Sequence, residues 1–218
     1  MKMRPGKILV VTAVATLALG AVLLRPPSVS PEAIRASVHR EAPLMERAWA
    51  LPAAAAYRGE ITFQSNGSVC GPSSLANLFR SLGEPATTES AVLDGTGRCR
   101  TGICFMGLTL DELAEVARAH TARRVTVLRD LTPEEFRDHL RRSNDPSRRY
   151  VVNFTRKAIF GAGGGHHSPI GGYLEPEDLV FVLDVNQKFG PWLVPRARLF
   201  AAMDTADGDR KRGLLLVE

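Results

Sequence analysis

The spacing of apolar residues changes along the chain, from helical periodicity in the first half to short strand-like runs in the second. Ser30-Pro31 is typical of a helix start, and 75–82 has a helical pattern that ends at Gly83, a residue suited to a left-handed cap. Two Thr-x-x-Glu capping boxes predict helices over about 109–120 and 132–142.

Strand-type runs follow these helices, and one short strand is predicted upstream of them over 57–63. A turn at 175–178 predicts a hairpin between two of the later runs. Because helices come first and strands later, the pattern predicts an α+β fold, with a helical first half and an antiparallel sheet in the second half, rather than an alternating doubly wound sheet. The four later runs are 150–154, 168–174, 179–185 and 214–217.

The N-terminus has the pattern of an export signal. Lys2, Arg4 and Lys7 precede an unbroken apolar or small run of 17 residues, from Ile8 to Leu24. This pattern predicts a signal peptide or N-terminal membrane anchor over 1–27. The chain is therefore expected to be exported, either to the periplasm or anchored to the outer face of the inner membrane.

Composition is typical of one compact domain, with 44% hydrophobic and 23% charged residues. The formal net charge of +5 comes mostly from four basic residues among the first 25, which leave 24 basic against 23 acidic residues in the rest. A nearly neutral remainder argues against nucleic acid as a partner. The sequence predicts a catalytic domain over 28–218.

The three cysteines lie in two different settings. Cys99 and Cys104 share one glycine- and charge-rich loop, and the exported setting predicts a disulfide between them. Cys70 stands at the entry of a predicted helix, where the helix dipole and free N–H groups stabilise a thiolate. Gln64 could fold back over that sulfur and form an oxyanion hole with the Cys70 N–H. A buried structural cysteine is the open alternative.

Two further segments carry side chains that would complete a catalytic triad. The run Gly163-Gly164-Gly165 leads into His166, the candidate general base, at the start of a predicted strand. His167 is expected to face the other way, because successive side chains alternate along a strand. Asp184 closes the next strand, and the hairpin would bring it beside His166 to orient the imidazole. A structural histidine and a surface aspartate remain the alternatives.

The order of these motifs resembles one family. Gln64 lies six residues before Cys70-Gly71, the segment 165–169 reads Gly-His-His-Ser-Pro, and Asp184 lies eighteen residues after His166. Members of the phytochelatin synthase family show this pattern, and the resemblance covers about 60–218. The chain is similar to the short bacterial members, since it ends without the cysteine-rich C-terminal region of the plant enzymes.

The resemblance implies a papain-like cysteine protease fold and a reaction on glutathione. Cys70 would cleave the Cys–Gly bond through a γ-Glu-Cys thioester, releasing glycine and passing the acyl group to water or a second glutathione. Gly165, Asp207 and Arg212 would bind the substrate, although the last two lie closer together in sequence than in the family. No resident cofactor or metal site is implied; heavy-metal ions would enter as thiolate complexes of the substrate.

Other associations and functions remain open at this stage. Glutathione and γ-Glu-Cys peptides are the expected ligands, while membrane attachment through the N-terminal segment and a homodimer are further possibilities. One competing function is a papain-like peptidase acting on other peptides. Another is a non-catalytic thiol or metal-binding protein, for which the spacing of Cys99 and Cys104 is poor.

Overall fold

The computed structural model describes residues 28–57, 60–99 and 101–218. The predicted signal or anchor segment, 1–27, lies outside the described residues. Across the part that is described, no helix combines the length and the hydropathy that crossing a bilayer requires.

The described chain contains helices α1 to α9 and strands β1 to β8, numbered separately in chain order. The helices are Pro31–Ser37, Ala42–Trp49, Pro52–Ala55, Cys70–Leu82, Glu89–Leu93, Leu110–His120, Pro133–Arg142, Arg156–Phe160 and Arg196–Met203. The strands are Val125–Leu128, Arg149–Thr155, Gly165–Leu174, Leu179–Val182, Trp192–Pro195, Ala206–Asp207, Arg210–Lys211 and Leu214–Val217.

Six of these strands form one sheet in the order β1-β8-β2-β3-β4-β5, and every neighbouring pair is antiparallel. The predicted hairpin is β3 and β4, joined by a 3-10 turn at Glu175–Glu177. Both predicted capping boxes are present, at Thr109 and Thr132. Helices packed on an antiparallel sheet confirm the α+β prediction.

Side-chain alternation along β2 divides the core into two faces. Val152 and Phe154 pack on one face with helices α7 to α9, whereas Val151 packs on the other face with α4 and α6. A third cluster, around Phe181, joins α2 and α3 to β4 and β5. Helix α4 therefore lies against the sheet, with its first residue, Cys70, near the start of β3.

The segment before α4 is irregular, so the strand predicted over 57–63 is wrong for the residues described there. The buried side chain of Asn77 replaces a neighbouring strand. Its Oδ1 accepts from the backbone N of Thr62 at 2.9 Å, and its Nδ2 donates to the Thr62 carbonyl at 2.8 Å. One amide side chain thus satisfies both backbone groups of Thr62, and no sheet ladder is needed.

We expect Asn77→Ala to loosen this segment. Loss of two part-buried hydrogen bonds to the backbone of Thr62 should lower the free energy of unfolding by about 1–3 kcal/mol. In addition, amides of residues 60–64 should exchange with solvent faster than that loss of stability alone explains. Hydrogen exchange read by mass spectrometry measures both effects.

Thr132→Ala is the matched control for this prediction. It removes a helix cap far along the chain and should cost about 1 kcal/mol without a local effect on 60–64. Unchanged protection of 60–64 in Asn77→Ala would contradict the role given to Asn77.

Candidate active site

Cys70 is the first residue of helix α4 and is buried. As the first helical residue, it has a backbone N–H with no acceptor within the helix, and the partial positive charge of the helix N-terminus lies beside its sulfur. It is the free cysteine among the described residues. The local setting therefore favours a thiolate.

His166 and Asp184 lie side by side, as the hairpin predicted. His166 Nε2 is 2.9 Å from Asp184 Oδ1, and both side chains are buried. Because Asp184 occupies Nε2, Nδ1 is the nitrogen left to exchange a proton with Cys70. The imidazole also packs edge-on against Phe154, with ring centroids 5.6 Å apart, so its orientation is held on two sides.

Three other groups donate to the Asp184 carboxylate. Arg156 Nη2 and the backbone N of Asn186 each lie 2.9 Å from Oδ1, and Trp192 Nε1 lies 3.1 Å from Oδ2. The guanidinium of Arg156 is in turn stacked 3.5 Å above the ring centroid of Phe189. No sequence pattern pointed to Arg156 or Trp192, although both lie within 60–218, the part of the chain that resembles the phytochelatin synthase family.

These contacts shift the pKa values of Asp184, His166 and Cys70. Burial opposes ionisation of Asp184, but His166 and Arg156 outweigh it, so the pKa of the carboxyl lies well below its usual range. Burial and the charge of Arg156 lower the pKa of His166, whereas Asp184 and Cys70 raise it, with a net rise. Burial raises the pKa of Cys70, yet the neighbouring imidazoles bring it well below the ordinary thiol value. Both directions favour a thiolate–imidazolium pair.

His167 also approaches the nucleophile, which strand alternation alone did not predict. The side chains do alternate, but His167 Nδ1 lies 3.9 Å from Cys70 Sγ. The sulfur sits where β3 begins, within reach of side chains from both faces of the strand. Of the two imidazoles, His166 lowers the pKa of Cys70 more, mainly through its charge. His167 lowers the same pKa mainly through a hydrogen bond.

Gln64 lies next to the same network. Its backbone N donates to the carbonyl of Val185, the residue after Asp184, at 2.8 Å. Its side-chain Nε2 donates to the Asn66 carbonyl at 2.7 Å, which leaves the second N–H of the amide for another acceptor. The oxyanion role of Gln64 stays a prediction.

Asp207 and Arg212 form an ion pair, with Arg212 Nη1 2.7 Å from Asp207 Oδ1. Asn153 Nδ2 donates to the other carboxylate oxygen at 2.9 Å. The Arg212 guanidinium lies over Gly165, where an added Cβ would come within 3.1 Å of Nη2. Glycine at this position therefore allows a charged group to lie against the backbone at the start of β3.

Several polar atoms around this pair are buried without a hydrogen-bond partner among the described residues. Arg212 Nε and Nη1 are two such donors, since the close approach of Nη1 to Asp207 lacks hydrogen-bond alignment, and Asn153 Oδ1 is an acceptor. Unsatisfied buried groups are costly in a native protein. They mark the Asp207–Arg212 pair as a candidate binding site.

Cys99 and Cys104 form the predicted disulfide. The loop that it closes contacts the segment before Cys70: the Cys104 N donates to Ser68 Oγ at 3.0 Å, and Asn66 Nδ2 donates to the Gly102 carbonyl at 3.0 Å.

Across 28–57, 60–99 and 101–218, no group of three or more His, Cys, Asp or Glu side chains has an arrangement that could hold a metal ion.

A buried thiol beside an imidazole that is oriented by a carboxylate defines a cysteine-nucleophile site for acyl transfer or hydrolysis. A sequence model of phytochelatin synthase matches residues 25–214. The chain belongs to the phytochelatin synthase family.

Curated relatives of the chain carry one enzyme name. This chain is 36% identical over 109 residues to glutathione gamma-glutamylcysteinyltransferase 3 of Lotus japonicus, and the match covers 48% of this chain and 22% of that protein. It is 31% identical over 118 residues to glutathione gamma-glutamylcysteinyltransferase of Schizosaccharomyces pombe, covering 51% and 28%. A wheat (Triticum aestivum) glutathione gamma-glutamylcysteinyltransferase 1 is 34% identical over 116 residues, covering 51% and 23%. The matched part of the chain thus spans about a quarter of these relatives' length.

The Arg156–Asp184 pair generates a stability prediction. Arg156→Met should lower the free energy of unfolding by about 3–5 kcal/mol, because it leaves a buried carboxylate with one charged partner fewer. Adding Asp184→Asn removes that charge, so the double variant should lose less stability than the sum of the single losses. Urea unfolding of the four proteins at pH 7 measures the cycle.

Arg141→Met controls for the loss of any arginine ion pair. Its partner Glu175 and its own side chain are both about half exposed, so the cost should stay below about 1 kcal/mol. Additive losses in the Arg156 and Asp184 cycle, within about 0.5 kcal/mol, would contradict the coupling.

Proposed function

We propose that this chain is a glutathione γ-glutamylcysteinyltransferase with glutathione hydrolase activity, built on a papain-like fold. The observation that carries the proposal is the Asp207–Arg212 ion pair, whose guanidinium lies over Gly165, the residue before His166 in the chain. Nucleophilic chemistry alone would fit many acyl substrates. A pair of opposite charges at the start of the strand that carries His166 favours a substrate with a zwitterionic end.

The γ-glutamyl group of glutathione has such an end, because it carries a free α-ammonium and a free α-carboxylate. Arg212 has buried donors without partners and would bind the carboxylate. Asp207, together with the free Oδ1 of Asn153, would bind the ammonium. An ordinary peptide residue presents neither charge at this point, so its binding would leave buried polar groups unpaired.

The proposed first half-reaction forms a thioester. His166 takes the proton of Cys70, and the thiolate attacks the carbonyl carbon of the Cys–Gly amide. The developing oxyanion accepts from the Cys70 N–H and from the free amide N–H of Gln64. His166 then protonates the leaving nitrogen, the C–N bond breaks, and glycine departs. Asp184 keeps the imidazole oriented throughout.

The second half-reaction releases the γ-Glu-Cys acyl group. Water or the amine of a second glutathione attacks the thioester, His166 accepts the proton of the nucleophile, and the sulfur leaves as a thiolate.

Heavy-metal ions would take part as thiolate complexes of glutathione rather than as a resident cofactor. Export and membrane attachment rest on the pattern of 1–27, and a homodimer stays an untested association.

Cys70→Ser should abolish glycine release from glutathione, since an alkoxide is far harder to generate at this position than a thiolate. The matched control is the double variant Cys99→Ser/Cys104→Ser, which removes the other two cysteines and should retain turnover. Glycine is quantified by amino-acid analysis. Near-normal glycine release by Cys70→Ser would eliminate the mechanism.

Arg212→Ala tests substrate recognition separately from the nucleophile. Loss of a charged hydrogen bond should reduce kcat/KM for glutathione by about 1.5–3 kcal/mol, or roughly 10- to 150-fold. Alkylation of Cys70 by iodoacetamide should barely change. Peptides without a γ-glutamyl group should be poor substrates of the unaltered enzyme, and efficient cleavage of them would favour a general peptidase.

Arg210→Ala is the matched control for Arg212→Ala. Arg210 lies two residues away and is mostly exposed, with an ion pair to Asp111 at 3.3 Å, so its removal should leave glutathione kinetics unchanged. Equal effects of the two substitutions would assign the loss to the charge of the loop. Unaltered kinetics in Arg212→Ala would leave the Asp207–Arg212 pair a structural role only.

A further inference from the structure

His167 is a buried imidazole that the proposed mechanism does not use. Only 3% of the residue is exposed to solvent, and its Nδ1 lies 3.9 Å from Cys70 Sγ, within hydrogen-bond range for sulfur. Its backbone carbonyl accepts from Ser74 Oγ at 3.0 Å, which ties this point of β3 to helix α4. The contact between His167 and the sulfur is therefore held by the packing of α4 on the sheet.

We propose that His167 is a second hydrogen-bond donor to the Cys70 sulfur, acting in addition to the His166–Asp184 pair. The donor is the neutral imidazole with its proton on Nδ1. His166 carries the proton that moves during the reaction, whereas His167 keeps its own proton and stabilises the sulfur anion in the free enzyme and when the thioester breaks.

The tautomer follows from the two nitrogens of the ring. A thiolate only accepts, so the nitrogen that faces it must carry the hydrogen. The other nitrogen, Nε2, is buried with no hydrogen-bond partner among the described residues. A proton on Nδ1 leaves an unpaired acceptor at Nε2, whereas a proton on Nε2 would leave a buried unpaired donor and place a lone pair against the sulfur anion.

The charged and titratable groups around the sulfur divide into two sets. From β3, His166 and His167 act on Cys70 directly. Asp184 and Arg156 form the second set, because they change the pKa of His166. The first turn of α4 contributes no charged side chain. Replacing His167 therefore removes a donor while leaving the His166–Asp184–Arg156 network unchanged.

The inference rests on Cys70 being the nucleophile, but alkylation tests it without glutathione. With His167→Leu, the midpoint of the iodoacetamide rate–pH profile should move to higher pH, and the rate below that midpoint should fall by about tenfold or more. With His167→Asn, whose amide nitrogen can replace Nδ1 as a donor, the rate should stay within about threefold of the unaltered protein.

Two outcomes would overturn the proposal. One is a His167→Leu profile that superimposes on that of the unaltered protein. The other is an equal shift in both variants, which would mean that imidazole charge or packing matters rather than the donor. Failure of glutathione cleavage with these alkylation results intact would reject the proposed substrate and leave the role of His167 standing.

If the variants do not fold, the tautomer of His167 can be measured directly in the unsubstituted protein. The ¹⁵N chemical shifts of histidine-labelled, unsubstituted protein distinguish the two neutral tautomers. The signal of His167, resolved from those of the other histidines by through-bond correlations, should show a protonated Nδ1 and an unprotonated Nε2. A proton on Nε2 alone would contradict the proposal.

Discussion

The buried carboxylate of Asp184 is the constraint on which the candidate site depends. A charge without solvent is tolerated only when donors surround it. The donors come from different parts of the chain: His166 from β3, Arg156 from α8, the backbone of Asn186, and Trp192 from β5. These elements must therefore be in place together, and the orientation of the imidazole is coupled to the packing of half the sheet.

The start of β3 is also where helix α4 and the Asp207–Arg212 pair, proposed to bind the substrate, meet the strand. Helix α4 presents its N-terminus at the point where β3 begins, so the sulfur of Cys70 meets imidazoles from both faces of one strand. The lack of a side chain at Gly165 lets Arg212 approach from the other side. Unpaired donors and acceptors are left around the ion pair, as expected for a site that is complete only with a charged ligand.

Local sequence rules predicted the parts of the fold that depend on local chemistry. The capping boxes at Thr109 and Thr132 and the β3–β4 hairpin are cases in which neighbouring residues satisfy each other. The proximity of His166 and Asp184 followed from that hairpin. The strand expected over 57–63 failed because Asn77, distant in sequence, occupies the backbone groups of Thr62.

The remaining features depend on three-dimensional packing that periodicity does not encode. Strands β1 and β5, the two edge strands of the sheet, were not predicted. Arg156 has an unremarkable sequence context, and its role depends on α8 lying beside Asp184. The approach of His167 to Cys70 was not predicted, because strand alternation assigns side chains to faces, whereas a sulfur at the end of the strand is reached from both faces.

The most direct test of the central claim is the mass of the enzyme during turnover. Protein mixed with glutathione and quenched in acid within the first turnovers should gain the mass of one γ-Glu-Cys acyl group, and peptide mapping should locate it on Cys70. The adduct should decay as glycine accumulates and free γ-Glu-Cys or a longer peptide appears. Glycine release without a Cys70 adduct in the unaltered enzyme, or an adduct that persists in Cys70→Ser, would contradict the account.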